Sequence, residues 1–351
     1  MRLLTFIIPI VVYFVAEWLL GPLYAMAIAI AISLIFAITD YVKTRQFPTS
    51  HISDIIIVAI FGLVEYYFAD NHGLMHIITP MIIATLLLLS LHTRFNIFAS
   101  MGGNMLGLLL RNPYNRYNIR RTMRRMIMWC LIMALTYYYA FSHPETKLSA
   151  WINNYMLFTV FVGYIATEII VSRINRHRYK KCEWVPLVDE KTADNECKIV
   201  GQAPRPLVHN GSHWLHPVVH LHVVSDGKLL LQLRPRTKKI QPDKWDTAVG
   251  GHIIVGEDIQ KSLKREAWEE IGLRDFKAQL LRRYVWKSDV ENEYIFSFIT
   301  QNRGPFMPKN AGEVADLKLW SKKEIEASLN EGIFTPNLEH ELREWILELL
   351  K

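Results

Sequence analysis

The hydropathy of the chain changes character near its midpoint. Over residues 1–172 the apolar side chains fall into six runs, near 4–20, 23–39, 53–69, 75–92, 124–142 and 152–172. Each is about long enough to cross ~30 Å of hydrocarbon as a helix. Gly21-Pro22 divides what would otherwise be one overlong run, which predicts two helices joined by a tight turn. Arg2 followed by an apolar stretch has the outline of a signal peptide, but five further runs and the acidic Glu17 favour a retained helix. After NRHRYKK comes WVPLVDEKTADNECKIVGQAPRP, where hydropathy collapses and charge becomes mixed. The chain therefore divides near residue 180, into a domain over 1–180 and another over 183–351.

In the second half the pattern alternates between period two and period 3.6. HPVVHLHVV, a Ser225-Asp226-Gly227 turn and LLLQLR predict a hairpin. Lys244 to Val255 reads as strand and glycine loop. Asp258 to Ile271 reads as a helix with Leu263, Ala267 and Ile271 on its apolar face. Strands follow at RRYVWK, EYIFSFI and LKLW, and a terminal helix runs from about Asn337 to Leu350. The expected fold is a multi-pass α-helical membrane domain followed by an α/β domain.

Composition sharpens the division. The formal charge of +7 is not one basic surface: the first 182 residues hold 16 Lys+Arg against 7 Asp+Glu, and the remainder 24 against 26. No nucleic-acid partner is expected from so uneven an excess. Three cysteines give neither a disulfide framework nor a close-spaced metal pair. Basic residues concentrate after the second, fourth and sixth apolar runs, including seven arginines between Arg94 and Arg125, whereas the alternate loops hold only Lys147. Basic loops stay on the cytoplasmic side, so both termini and the second domain are expected there, with the lipid bilayer as a partner.

Three details of the first half carry further expectations. Phe95 to Leu110, apolar but broken by glycines, reads as an interfacial or re-entrant helix. Arg120, Arg121, Arg124 and Arg125 suit anionic headgroups or a topogenic role. Glu17, Glu65 and Glu168 lie in or near the runs with no basic partner expected inside them, which leaves an intramembrane polar site, protonation, or burial against a neighbouring helix or the interface. The opening FIIPIVVYFVAEWLLGPLYAMAIAIA and the closing WINNYMLFTVFVGYIATEIIVSR resemble the intracellular septation protein A family over about residues 1–180. That resemblance implies a bacterial inner-membrane scaffold with envelope or division proteins as partners, and it names no reaction.

The chemistry lies further on, in Gly251-His-Ile-Ile-Val-Gly-Glu257 and, seven residues later, Arg265-Glu266-Ala267-Trp268-Glu269-Glu270-Ile271-Gly272-Leu273. Glu266, Glu269 and Glu270 at i, i+3 and i+4 project to one side of a helix. Like charges so placed repel by a few tenths of a kcal/mol per pair in an isolated helix. A hard divalent cation reverses that sign, because carboxylate oxygens are what it takes. Arg265 can bridge back to the carboxylates, Glu257 sits in the first helical turn, and Gly250 and Gly251 admit a ligand close to backbone. Seven fixed positions make a chance match on the order of 10⁻⁸ per window.

This segment resembles the complete Nudix box. The resemblance implies an α/β/α sandwich and hydrolysis of a diphosphate-containing small molecule with Mg²⁺ or Mn²⁺. Position by position it makes Glu269 and Glu270 metal ligands and Glu266 a ligand or the base. Gly250 would give a coordinating carbonyl, and Glu257 and Arg265 form the supporting pair. Glu313, before LKLW, is the candidate for a further loop ligand.

VHNGSHWLHPVVHLHV, KWDTAVGGH, VENEYIFSF and GIFTPN are similar to the isopentenyl-diphosphate-isomerase-like branch. There His209, His216, His252, Glu291 and Glu293 match metal-binding positions, which makes them a candidate second metal or substrate site. The isomerase's cysteine is replaced by Gly250, so hydrolysis of a nucleoside diphosphate derivative or prenyl diphosphate is favoured over isomerisation. An envelope scaffold with a diphosphate-binding module is the alternative. His220 and His222, alternating along a strand, are expected to be ordinary.

Overall fold

The computed structural model describes residues 2–45, 49–68, 70–92, 110–192 and 197–350. The chain forms two compact units, Met1–Arg178 and Tyr179–Lys351.

In the first unit six helices cover the six apolar runs: α1 (Arg2–Leu20), α2 (Pro22–Thr44), α3 (Thr49–Phe68), α4 (His72–His92), α5 (Pro113–Ser142) and α6 (Lys147–Tyr179). Gly21 alone separates α1 from α2. Stretches long and apolar enough to cross a membrane run Pro22–Lys43, Gly73–His92 and Lys147–Tyr179; Val11–Leu20 and Ile55–Phe68 are shorter. The first half of α5 carries Arg116, Arg120, Arg121, Arg124 and Arg125, so its uncharged part begins only at Met126. The expected interfacial helix at Phe95 to Leu110 lies outside the described residues, Leu110 apart.

Alanines, together with a few larger apolar side chains, fill the contacts between these helices. Tyr13, Ala16, Ala25, Ala29 and Val58 form one cluster; Tyr137, Ala140, Ile152 and Met156 form another. Large apolar ones, among them Leu135, Leu157 and Phe158, point outward. One expectation is corrected here. Glu168 does have a basic partner: Arg125 grips it through Nε at 2.6 Å and a terminal nitrogen at 2.8 Å. The partner was missed because 43 positions separate the two residues. Glu65 accepts from the Tyr13 hydroxyl.

The second unit opens with β1 (Trp184–Val188) paired antiparallel to β2 (Ile199–Pro204), where the sequence reads as linker, and then a helical turn, α7 (Arg205–Val208). The strands β3 (His216–Ser225), β4 (Lys228–Leu233), β5 (Trp245–Thr247), β6 (Val249–His252), β7 (Gln279–Lys287), β8 (Asn292–Gln301) and β9 (Asp316–Trp320) make one mixed sheet. Its order is β5-β4-β3-β8-β7, with β6 also on β3 and β9 also on β4. β3 and β8 run parallel, which places His216 opposite Glu293.

Helices cover both faces. α8 (Ile259–Ile271) buries Leu263, Ala267 and Ile271 against Val219, Leu221, Val223 and Phe296. On the other face lie α9 (Lys322–Ser328) and α10 (Pro336–Glu341), which continues through a wide turn at Leu342–Ile346 to Leu349. There Ile325, Leu338, Leu342 and Ile346 meet Leu229 and Leu231 of β4. Neighbouring residues of β4 serve opposite cores, as period two requires. The fully buried Leu, Ile and Val side chains contribute roughly 1.5–3 kcal/mol each.

Candidate functional site

The ends of α8 are set locally. Asp258 caps it, accepting the Lys261 N–H at 2.7 Å, and Gly272 closes it at φ 73°, a conformation that favours glycine. Between those ends the acidic side chains divide into two groups. The Arg265 guanidinium donates to Glu257 at 3.0 Å, Glu266 at 2.8 Å, Glu269 at 3.1 Å and the His252 carbonyl at 3.0 Å. Glu270 turns the other way and accepts the Gly250 N–H at 3.0 Å and the Gln232 amide at 3.2 Å. Burial pushes the Glu270 carboxyl up to about 8, and the charge of Glu266 adds to it. Burial likewise raises Glu266, to about 7, against the pull of Arg265.

Two adjoining hollows, about 340 and 480 Å³, share Arg205, Gly250, Gly251, His252, Glu270 and Glu313. They make one cleft. Glu313 lies in it beside Glu270, ion-paired to Lys238. Glu266 and Glu269 line the larger hollow.

The second predicted group also gathers in space. His209, His216 and His252 bring ring nitrogens within 4.8 Å of one another, and so do His216, Glu291 and Glu293 with their ligand atoms. His216 and His252 stack at 5.3 Å, and His209 pairs with Glu291. The Nε2 atoms of His209, His216 and His252 are buried with no hydrogen-bond partner. Burial drives His216 down to about 4 and His252 well below its ordinary value. Burial, with Glu291 alongside, pushes Glu293 up to about 8.

Residues 214–345 match the NUDIX domain family. An uncharacterized Nudix hydrolase of Listeria monocytogenes is 30% identical over 125 residues, 35% of this chain and 73% of the relative. One from Rhodococcus erythropolis is 30% identical over 142 residues, 38% of this chain and 76% of its own. The chain belongs to the Nudix hydrolase family. It is a Nudix-type hydrolase acting on phosphorus-containing anhydrides. Among solved structures, DR0079 of Deinococcus radiodurans overlaps 46% of this chain and 98% of its own, at 20% identity and a TM-score of 0.39.

The donor set of the Nudix helix and the loop before β9 fits the divalent metal that the family generally uses. Glu266, Glu269, Glu270 and Glu313 offer only oxygen, the preference of a hard cation. The buried Glu270 carboxyl, raised to about 8, needs a positive charge beside it to ionise readily. The imidazole and carboxylate groups around His216 suit a borderline divalent ion instead. The three α8 carboxylates do not converge on one point, because Arg265 holds Glu266 and Glu269 while Glu270 faces Gly250.

The Nudix motif's Gly251 has a steric reason. A Cβ there would lie 2.1 Å from both Cγ and Cδ of Glu266. Gly251→Ala is therefore expected to drive Glu266 off Arg265. That should cost about 1–3 kcal/mol in thermal unfolding and roughly a hundredfold in turnover. Unchanged turnover would show that the placement of Glu266 is immaterial.

Sequence reasoning overlooked the cations of the cleft, Arg205, Arg234, Lys238 and Lys239. It also overlooked Glu341. That carboxylate lies 3.1 Å from His220 Nδ1 and 2.9 Å from His222 Nε2, all of it buried. Burial opposes a charge on His220, yet Glu341 outweighs it and the imidazole is pushed up to about 9. The two histidines thus share one buried carboxylate, with an ion pair to His220, contrary to the expectation that they are ordinary. No periodicity links residues 121 positions apart.

Proposed function

We propose that this protein is a membrane-anchored, metal-dependent Nudix hydrolase of the bacterial inner membrane, with its catalytic unit on the cytoplasmic side. It cleaves the diphosphate linkage of a nucleoside diphosphate derivative or a prenyl diphosphate. The observation that carries the reading is the intact acidic helix, its carboxylates held by Arg265 along a cleft that also contains Glu313. The outward apolar side chains of α4–α6 and the basic loops support the anchor.

Glu269, Glu270, Glu313 and the Gly250 carbonyl would hold Mg²⁺ or Mn²⁺, with Glu266 as a further ligand or as the base. When bound, the cation would neutralise charge on the diphosphate and make the attacking water more acidic. The chain supplies the remainder. Arg265 orients Glu266 and Glu269 and is itself anchored by Glu257 and the His252 carbonyl. As the base, Glu266 would accept the proton of the water that attacks phosphorus. Arg205, Lys238 and Lys239 attract the anionic substrate to the cleft.

A second reading draws on the His209, His216, His252, Glu291 and Glu293 cluster, whose partnerless nitrogens suit a second divalent ion. Such an ion would fit the isopentenyl-diphosphate-isomerase-like branch, although Gly250 stands at the cysteine position and removes the acid that isomerisation requires.

The test uses full-length protein extracted from membranes, Mg²⁺ and H₂¹⁸O, with ADP-ribose and dimethylallyl diphosphate as substrates. Hydrolysis should place ¹⁸O in a released phosphate or monophosphate. Recovery of a double-bond isomer without labelled phosphate would overturn the hydrolase reading in favour of the isomerase. Finding neither would leave binding alone as the unit's role.

A further inference from the structure

β3 presents two faces. Val219, Leu221 and Val223 join the apolar core beneath α8, whereas His216, His220 and His222 alternate with them on the other side. His220 and His222 both direct a ring nitrogen at the same oxygen of Glu341, which comes from α10. A buried ion pair of this kind is often matched or exceeded in stability by well-packed apolar residues. Stability alone therefore does not account for it.

The two histidines differ in one respect. His222 is fully buried away from the cleft, while His220 lines it beside Gly250, Gln232 and Glu270. In the sheet His220 is the direct partner of Gly250. Its Nδ1 is occupied by Glu341, which leaves Nε2 as the ring nitrogen open to a ligand. Pro336 and Asn337, at the start of the helix that carries Glu341, line the same cleft. The helix and the imidazole thus form one wall.

We propose that His220 is a substrate-binding residue of this cleft and Glu341 its positioning residue: the carboxylate fixes the ring through Nδ1, and Nε2 hydrogen bonds a non-reacting phosphate oxygen of the bound diphosphate compound. This rests on the hydrolase reading above and adds a contact outside the acidic helix. A carboxylate orienting an imidazole that meets the substrate is an economical arrangement, because rotation of the ring is lost on folding and not again on binding.

The experiment measures the affinity of full-length protein, in detergent with Mg²⁺, for methylenediphosphonate, a diphosphate that cannot be hydrolysed. Turnover of ADP-ribose is followed in parallel. Asparagine places its amide nitrogen near the Nδ1 position of histidine, and glutamine near Nε2. His220→Asn is expected to weaken binding about tenfold, while His220→Gln stays within about threefold of wild type. His222→Asn should lower thermal stability and weaken binding less than His220→Asn does, because that ring meets Glu341 but does not reach the cleft.

Equal affinity of His220→Asn and wild type would overturn the proposal. So would an equal loss in His222→Asn, or no binding of the probe to wild type. If His220→Asn does not fold, the comparison moves to Glu341→Gln, expected to weaken binding threefold or more and by more than His222→Asn does; equality of those two would also overturn it. Wild type that binds the probe yet hydrolyses nothing would remove the hydrolase reading and leave His220 to be decided by the affinities.

Discussion

Replacing Glu270 by glutamine is expected to lower turnover on the order of a thousandfold while leaving the metal-free protein at least as stable as wild type. Both halves of that result come from one location. Glu270 is only 6% exposed, and its oxygen accepts from the Gly250 N–H and the Gln232 amide. Without a cation its carboxyl is kept protonated to about 8. A glutamine there is neutral at every pH, can accept the same two donors through its carbonyl, and no longer resists ionisation. What it lacks is the negative charge that a divalent ion requires. Turnover by ¹⁸O incorporation and thermal unfolding at pH 7.5 without metal check the two halves. A variant that is inactive and also strongly destabilised would show that the carboxylate serves the fold, and an active one would exclude it from the chemistry.

In metal-free protein the catalytic unit is expected to lose stability steadily as pH rises from 6.5 to 9, by on the order of 3 kcal/mol or about 10 °C. The sign follows from where protons reside. Glu266 is raised to about 7, Glu270 and Glu293 to about 8, all mainly by burial, and His220 to about 9 against burial by Glu341. Each keeps its proton in the folded state at a pH where the unfolded chain has released it. Their contribution is present below the unfolded pKa and is lost as pH passes the folded one. His216, His252 and Glu341, whose values are lowered, act in the opposite sense, but only below about pH 6.5.

Saturating Mg²⁺ should at least halve the decline, because it binds the ionised carboxylates and stabilises only the folded state. Hydrogen exchange of residues 245–271 in the full-length protein measures this without interference from the helical unit. A flat or rising profile without metal, or a slope indifferent to Mg²⁺, would contradict the assigned protonation states.

What was legible in the sequence was local. The α8 stripe of Leu263, Ala267 and Ile271 and the Ser225-Asp226-Gly227 turn operate within a few residues and lie where the local pattern places them, whereas the Glu266, Glu269, Glu270 spacing put all three on α8 but not on one side, since Glu270 turns to Gly250 while the other two meet Arg265. The β1–β2 pair was not legible, since five- and six-residue strands containing Pro186 and Gly201 carry too little alternation to stand apart from a linker. Contacts across long separations were equally invisible. Arg125 with Glu168, and Glu341 with His220 and His222, depend on packing that brings distant positions together. Sequence spacing could nominate His209, His216, His252, Glu291 and Glu293 only through a family resemblance; the parallel β3–β8 register is what sets His216 opposite Glu293.

Arg265 has a consequence for the order of events in the protein's life. Its single guanidinium already satisfies Glu257, Glu266 and Glu269. The nascent chain therefore carries an internal counter-ion for its own acidic cluster, and those three side chains need no metal to be brought together. A divalent ion that binds there would compete with a tethered cation, so its hold would be weaker and its exchange easier than at a site with no such charge.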